Sequence, residues 1–155
     1  MSVEIQSTKS PSQYFFLIYW LPVLVWMGLI FYISHQDSDS TGQNGDIFMF
    51  IFNLLNLDPA RMVELNVPLY LRKTAHVIEY FILFLLTARL STQYFNMPKI
   101  AWVSLLVTIL YAVSDEFHQT FVPGREGKIS DVGIDTIGAI LGVVVLALWM
   151  RRKGK

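Results

Sequence analysis

The sequence predicts an all-α, multi-pass membrane protein: a bundle of four transmembrane helices with one short amphipathic helix at the membrane interface. Three observations lead there. Hydrophobic residues make up 54% of the 155 residues and charged residues only 15%, with a mean hydropathy of +0.46, the balance of an integral membrane chain. Four apolar stretches are long enough to span, or nearly span, a bilayer. The ionisable residues that interrupt the last three gather at one end of each, where a membrane helix carries charge only for a reason. A chain of this length has room for one domain. Its zero net charge offers no basic surface for nucleic acid. The absence of cysteine excludes disulfides and thiolate metal sites.

Residues 1–13 form a polar tail with Glu4 and Lys9. The first span covers residues 14–34 without a charge and contains Pro22 and Gly28, which membrane helices tolerate better than soluble ones. It is too long for a signal-peptide core, and no small-residue cleavage site precedes Ser34, so it reads as an uncleaved signal-anchor. A long loop follows. Its apolar patch, Ile47–Leu57, is too short to span. Ile47, Phe50, Ile51 and Leu54 share one helical face opposite Asn53 and Asn56, which predicts a surface-lying helix over residues 43–57. The second span covers residues 74–88, the third 100–117 and the fourth 132–150, followed by a basic tail at 151–155. Trp20, Tyr80, Trp102 and Trp149 read as interfacial anchors.

Basic residues set the orientation. The termini and the Arg89–Lys99 loop hold Lys9, Arg89, Lys99, Arg151, Arg152, Lys153 and Lys155. The other side holds Arg61, Arg72, Lys73, Arg125 and Lys128. The positive-inside rule then places both termini in the cytoplasm and the two charged loops outside the inner membrane.

The charges form a constellation. At 100° per residue, Arg72, His76, Glu79 and Leu83 fall within about 60° of one another, so one face of the second span is cationic at its mouth and acidic a turn deeper. In the third span Asp115 and Gln119 are one turn apart, with His118 beside them and Glu116 pointing away. In the fourth, Asp131, Asp135, Gly138 and Gly142 form one stripe whose lower half is a small-residue face for close helix approach. Between the last two spans, Phe121-Val122-Pro123-Gly124-Arg125-Glu126-Gly127-Lys128 reads as a tight turn that sets Arg125 over the mouth. Its amides, with Arg125 and Lys128, form a cradle for an anion.

Arg72-Lys73-Thr74-Ala75-His76 with Glu79-Tyr80, Ser114-Asp115-Glu116-Phe117-His118-Gln119, Phe121-Val122-Pro123-Gly124-Arg125, and Asp131 through Gly138 to Gly142 resemble the VanZ-like family in order and spacing. Ser34–Gln36 resembles that family's Ser-rich motif ending the first span. The resemblance implies a small bacterial membrane protein of the cell envelope. The family is named for a protein linked to teicoplanin resistance. At Asp135 the chain departs from the family pattern, where asparagine is frequent, and adds a carboxylate.

Four readings of the constellation follow. It binds an anionic envelope molecule, a lipid-linked precursor or a lipoglycopeptide, through Arg72, Lys73, His76, Glu79, Asp115, Gln119, Arg125 and Asp131, with Glu116, His118 and Asp135 in secondary roles. Or it is an enzyme site, with Glu79, Asp115 and His76 as acid–base candidates acting on a lipid-linked phosphate. Glu79, Asp115 and Asp131 with His76 would suit Mg²⁺ or Mn²⁺ better than Zn²⁺, although neither His-x-x-x-His nor His-Glu-x-x-His occurs and Ser114 is a weak nucleophile candidate. A third reading is a proton or cation relay through His76, Glu79 and Asp115; the inner half of the bundle lacks polar stepping stones for it. The fourth is an ionic clasp that only holds helices together.

Overall fold

Lipid offers no partner for a backbone amide, so the apolar stretches satisfy their hydrogen bonds internally and form helices. The computed structural model describes residues 13–35, 50–123, 125 and 127–153 and is helical throughout its main elements. Helix α1 opens with Gln13–Phe15, widens into a π-helical turn at Phe16–Trp20 and continues as a regular helix over Leu21–Ser34. Pro22 explains the wide turn. A proline ring clashes with the carbonyl four residues back and donates nothing to it, and a π-turn relieves that crowding. Residues 50–54 are also helical. The short α2 (Pro59–Glu64) follows, then α3 (Val67–Ser91), α4 (Lys99–Gln119) and α5 (Ile129–Lys153).

The four predicted spans therefore lie on α1, α3, α4 and α5, each long and apolar enough to cross a membrane. Helix α3 starts well ahead of the expected span at Thr74, at Val67, where Asn66 adopts a left-handed conformation (φ 56°) and Pro68 occupies the first turn. Arg72 and Lys73 hide that start from a hydropathy reading but are good helix formers. Of the expected interfacial helix, residues 43–49 lie outside the described residues, as do Gln36, Gly124 and Glu126. Phe50, Leu54 and Leu55 are exposed, whereas Phe52 turns inward. The loop also contains α2, which the sequence did not signal.

Helix α5 makes its most extensive contact with α3, α4 packs on both, and α1 flanks α3 and α4. The predicted small-residue face explains the first contact. A Cβ at Gly138 would strike the Val77 carbonyl, and one at Gly142 would strike the Phe84 ring. The core has two parts. Val23, Ile30, Tyr80, Leu83 and Ala112 pack together, and Phe84, Ala88, Ile100 and Ala139 form the other. Tyr80 is thus fully buried, not an interfacial anchor: it sits on the inward face of α3 beside Tyr111 (ring centroids 6.4 Å apart).

The two ends of the bundle differ. Where α1 begins, Trp20 Nε1 donates to the Tyr94 hydroxyl at 3.2 Å and the Arg89 guanidinium lies 5.3 Å from the Tyr19 ring centroid. This fixes the α3–α4 loop beside the start of α1. The exposed Trp102 and Trp149 belong to the same end by their positions on α4 and α5. The opposite end gathers the end of α1, the start of α3, the end of α4 and the start of α5, and with them the charged motifs.

Candidate polar cavity

At that end a cavity of about 390 Å³ opens between α3, α4, α5 and the α4–α5 loop. Its wall carries four cations, Arg72, Lys73, Arg125 and Lys128, against three carboxylates, Glu116, Asp131 and Asp135. His76 and Gln119 line it as well, with Leu69, Ser130 and Ile134 between the charges. Helices α3 and α5 both begin here, so the positive ends of their macrodipoles add to the cationic rim.

Several wall residues are placed by specific contacts. Lys73 Nζ donates to Asp131 Oδ1 at 3.0 Å, tying α3 to the first turn of α5. The Lys128 amide donates to Glu116 Oε2 at 2.9 Å and folds the loop back onto α4. Gly127 makes that possible, because a Cβ there would collide with the Glu116 carbonyl and the Thr120 side chain. The Arg125 amide donates to the Val122 carbonyl at 3.1 Å, closing the predicted turn.

A second chain of contacts reaches Arg125 from beneath. Ser34 Oγ donates to Asp115 Oδ2 at 2.8 Å, Gln119 Nε2 donates to the same oxygen at 3.1 Å, and Arg125 Nη1 donates to Gln119 Oε1 at 3.2 Å. Because Gln119 gives with one end of its amide and accepts with the other, its orientation is fixed by the network. The last residue of α1 thereby helps aim a guanidinium at the cavity. Asp115 is 1% exposed and does not itself line the cavity.

Deeper still, His76 Nδ1 lies 3.7 Å from Glu79 Oε2 and 3.6 Å from Asp135 Oδ1. Both separations exceed a hydrogen bond. His76 Nδ1, Glu79 Oε2 and Asp135 Oδ2 are buried without a hydrogen-bond partner among the described residues. Native proteins rarely leave such atoms unpaired unless the site has another use for them.

The structure thus brings Arg72, Lys73, His76, Gln119, Arg125 and Asp131 together as wall residues, and adds Glu116 and Asp135 from the secondary set. Glu79 and Asp115 lie behind the wall. His118 belongs elsewhere: its ring packs 4.3 Å from Phe31 and 5.2 Å from His35, on the α1 side of α4. Among the described residues no group of three or more His, Asp or Glu side chains is arranged to hold a metal ion. Of the oxygen donors that would suit a divalent ion, Asp131 accepts from Lys73 and Asp115 from Ser34 and Gln119. Sequence reasoning had no role for Ser34 beyond its motif and ranked Glu116 below Asp115. The small residue closing α1 was the available signal for Ser34; nothing local marked Ser130, Leu69 or Ile134.

No curated protein and no solved structure matches the chain at a significant level. The sequence model of the VanZ/LLP1 family matches residues 16–150, which takes in nearly all of α1 and α5 and the whole cavity. The motifs that build the cavity wall lie inside that match, and on its extent this four-helix membrane protein belongs to the VanZ/LLP1 family.

Proposed function

We propose that the protein is a bacterial cell-envelope component whose cavity recognises an anionic group on an envelope molecule. The observation that carries this is the cavity wall itself: four cations face one space of about 390 Å³, and two of the wall carboxylates are already engaged by Lys73 and the Lys128 amide. Arg72 and Arg125 supply planar, fixed donors suited to phosphate or carboxylate. In this reading the chain sits in the inner membrane with both termini cytoplasmic, and the cavity opens to the outer leaflet, where lipid-linked precursors and lipoglycopeptides are met. Family membership extends the proposal to lowered teicoplanin susceptibility.

The test is direct. Purified protein in phosphatidylcholine nanodiscs is titrated with inorganic phosphate and, separately, reconstituted with phosphatidylglycerol, while thermal unfolding is followed. Protection in wild type that is lost in Arg72→Gln and Arg125→Gln supports anion recognition. Equal protection in both variants rejects it. The antibiotic part is checked by teicoplanin inhibitory concentrations in a susceptible host expressing wild type or Arg125→Gln at matched abundance.

A second reading has its own observation, the imidazole of His76 held between two carboxylates with its Nδ1 unpartnered. That is an acid–base arrangement for hydrolysis or transfer at a lipid-linked phosphate. Phosphorus NMR of a polyprenyl diphosphate incubated with wild type and His76→Gln checks it: turnover confined to wild type is the expected result, and no turnover removes the reading.

A further inference from the structure

The three carboxylates of the cavity wall are not equivalent. Asp131 accepts from Lys73 and Glu116 accepts from the Lys128 amide. Asp135 is 1% exposed, its Oδ2 is buried without a partner, and its nearest cationic candidate, His76, stands 3.6 Å from Oδ1. It lines the inner wall one helical turn beyond Asp131, about 6 Å along α5. On the facing helix His76 stands one turn beyond Arg72. The cavity therefore has a cationic rim and, a turn deeper, a buried acid with no donor. Burying a carboxylate without a donor is costly, and a donor arriving with the ligand removes that cost.

We propose that the ligand group is zwitterionic: a phosphate held by Arg72 and Arg125 at the rim, and a primary ammonium that reaches Asp135 through a spacer of about two carbons. This rests on the anion-binding reading above and adds the second half of the ligand. Phosphoethanolamine has this chemistry, whether as a free molecule or as the head group of phosphatidylethanolamine. A primary ammonium offers three N–H donors, which suits an acid lacking any. A quaternary ammonium of the same charge offers none.

The experiment uses full-length protein in phosphatidylcholine nanodiscs and needs no variant for its first arm. Affinities are measured for O-phosphoethanolamine, phosphocholine and inorganic phosphate. A second arm replaces part of the phosphatidylcholine with phosphatidylethanolamine or phosphatidylglycerol and follows the unfolding temperature. The expected result is that phosphoethanolamine binds about tenfold or more tighter than both phosphate and phosphocholine, as a charge-assisted hydrogen bond at a buried acid requires. Asp135→Asn brings the three to within about threefold of one another while phosphate binding persists. If the soluble compounds are inert but phosphatidylethanolamine stabilises more than phosphatidylglycerol, the head group is the source. If phosphate or phosphatidylglycerol protects as well as its amine counterpart, or the preference survives in Asp135→Asn, the ammonium site is overturned and anion recognition stands. If nothing protects, both proposals fall.

Discussion

The bundle has two buried polar regions, and they are built on opposite terms. Near the end where α1 begins and α5 ends, Ser104 Oγ donates to Ser91 Oγ at 3.2 Å between α4 and α3. Thr87 and Thr108 return their hydroxyls to the Leu83 and Ser104 carbonyls of their own helices at 2.9 and 2.8 Å. Small neutral groups fill that interface, and each of these four hydroxyls has a partner. At the other end the buried ionisable groups come from three helices, α3, α4 and α5, and leave atoms of His76, Glu79 and Asp135 unpartnered. Lipid gives helices no hydrophobic reason to associate, so small residues and hydroxyls are the ordinary means of joining them. The bundle already has these, together with the glycine face of α5. The charged end exceeds what assembly requires, and buried ion pairs are seldom the most stabilising choice. On the reading proposed above, that end is kept for a ligand.

The comparison can be broken first at the joint both regions share. Gly138→Leu must push α5 from the Val77 carbonyl. Overpacking of this kind costs about 1–3 kcal/mol or more, and at backbone the upper end is expected. Membrane abundance and unfolding temperature should fall sharply, and Gly28→Leu, with nothing within 4 Å of its added Cβ, should be far milder. Next in size is Arg125→Gln, expected to weaken anion binding about tenfold, or roughly 1.4 kcal/mol, read by titration with inorganic phosphate. Asp115→Leu removes the acceptor that Ser34 and Gln119 share. It should weaken anion binding less than Arg125→Gln, and Asp115→Asn, which keeps one acceptor oxygen, should restore most of the loss. The smallest effect belongs to Ser104→Ala. Losing one interhelical hydroxyl bond in a membrane costs about 0.6 kcal/mol, and anion affinity should not move.

The sequence made one side of this comparison legible and concealed parts of the other. Apolar run length located all four spans, because lipid forces such runs into helices. The glycine face was readable because Gly138 and Gly142 are spaced one turn apart on the stripe that begins at Asp131. Helical angle also foretold that Asp115 and Glu116 would not share a site: one meets Ser34 on α1, the other the Lys128 amide at the cavity. Periodicity, however, gives a face and not the neighbour it meets. It could not show that Asp115 lies behind the wall while Glu116 is in it, nor that His118 turns toward Phe31 and His35. The π-turn before Pro22 and the short α2 escaped because neither carries a pattern distinct from its surroundings.

The central claim is that the charged end is held for a ligand rather than for assembly. The most direct measurement is the unfolding temperature of wild type and Arg125→Gln in neutral nanodiscs, with and without added anionic lipid. The account predicts nearly equal temperatures in neutral lipid and a rise on adding phosphatidylglycerol in wild type alone. A large drop for Arg125→Gln in neutral lipid, with no anion-dependent rise in wild type, would contradict it and leave the charges as an ionic clasp.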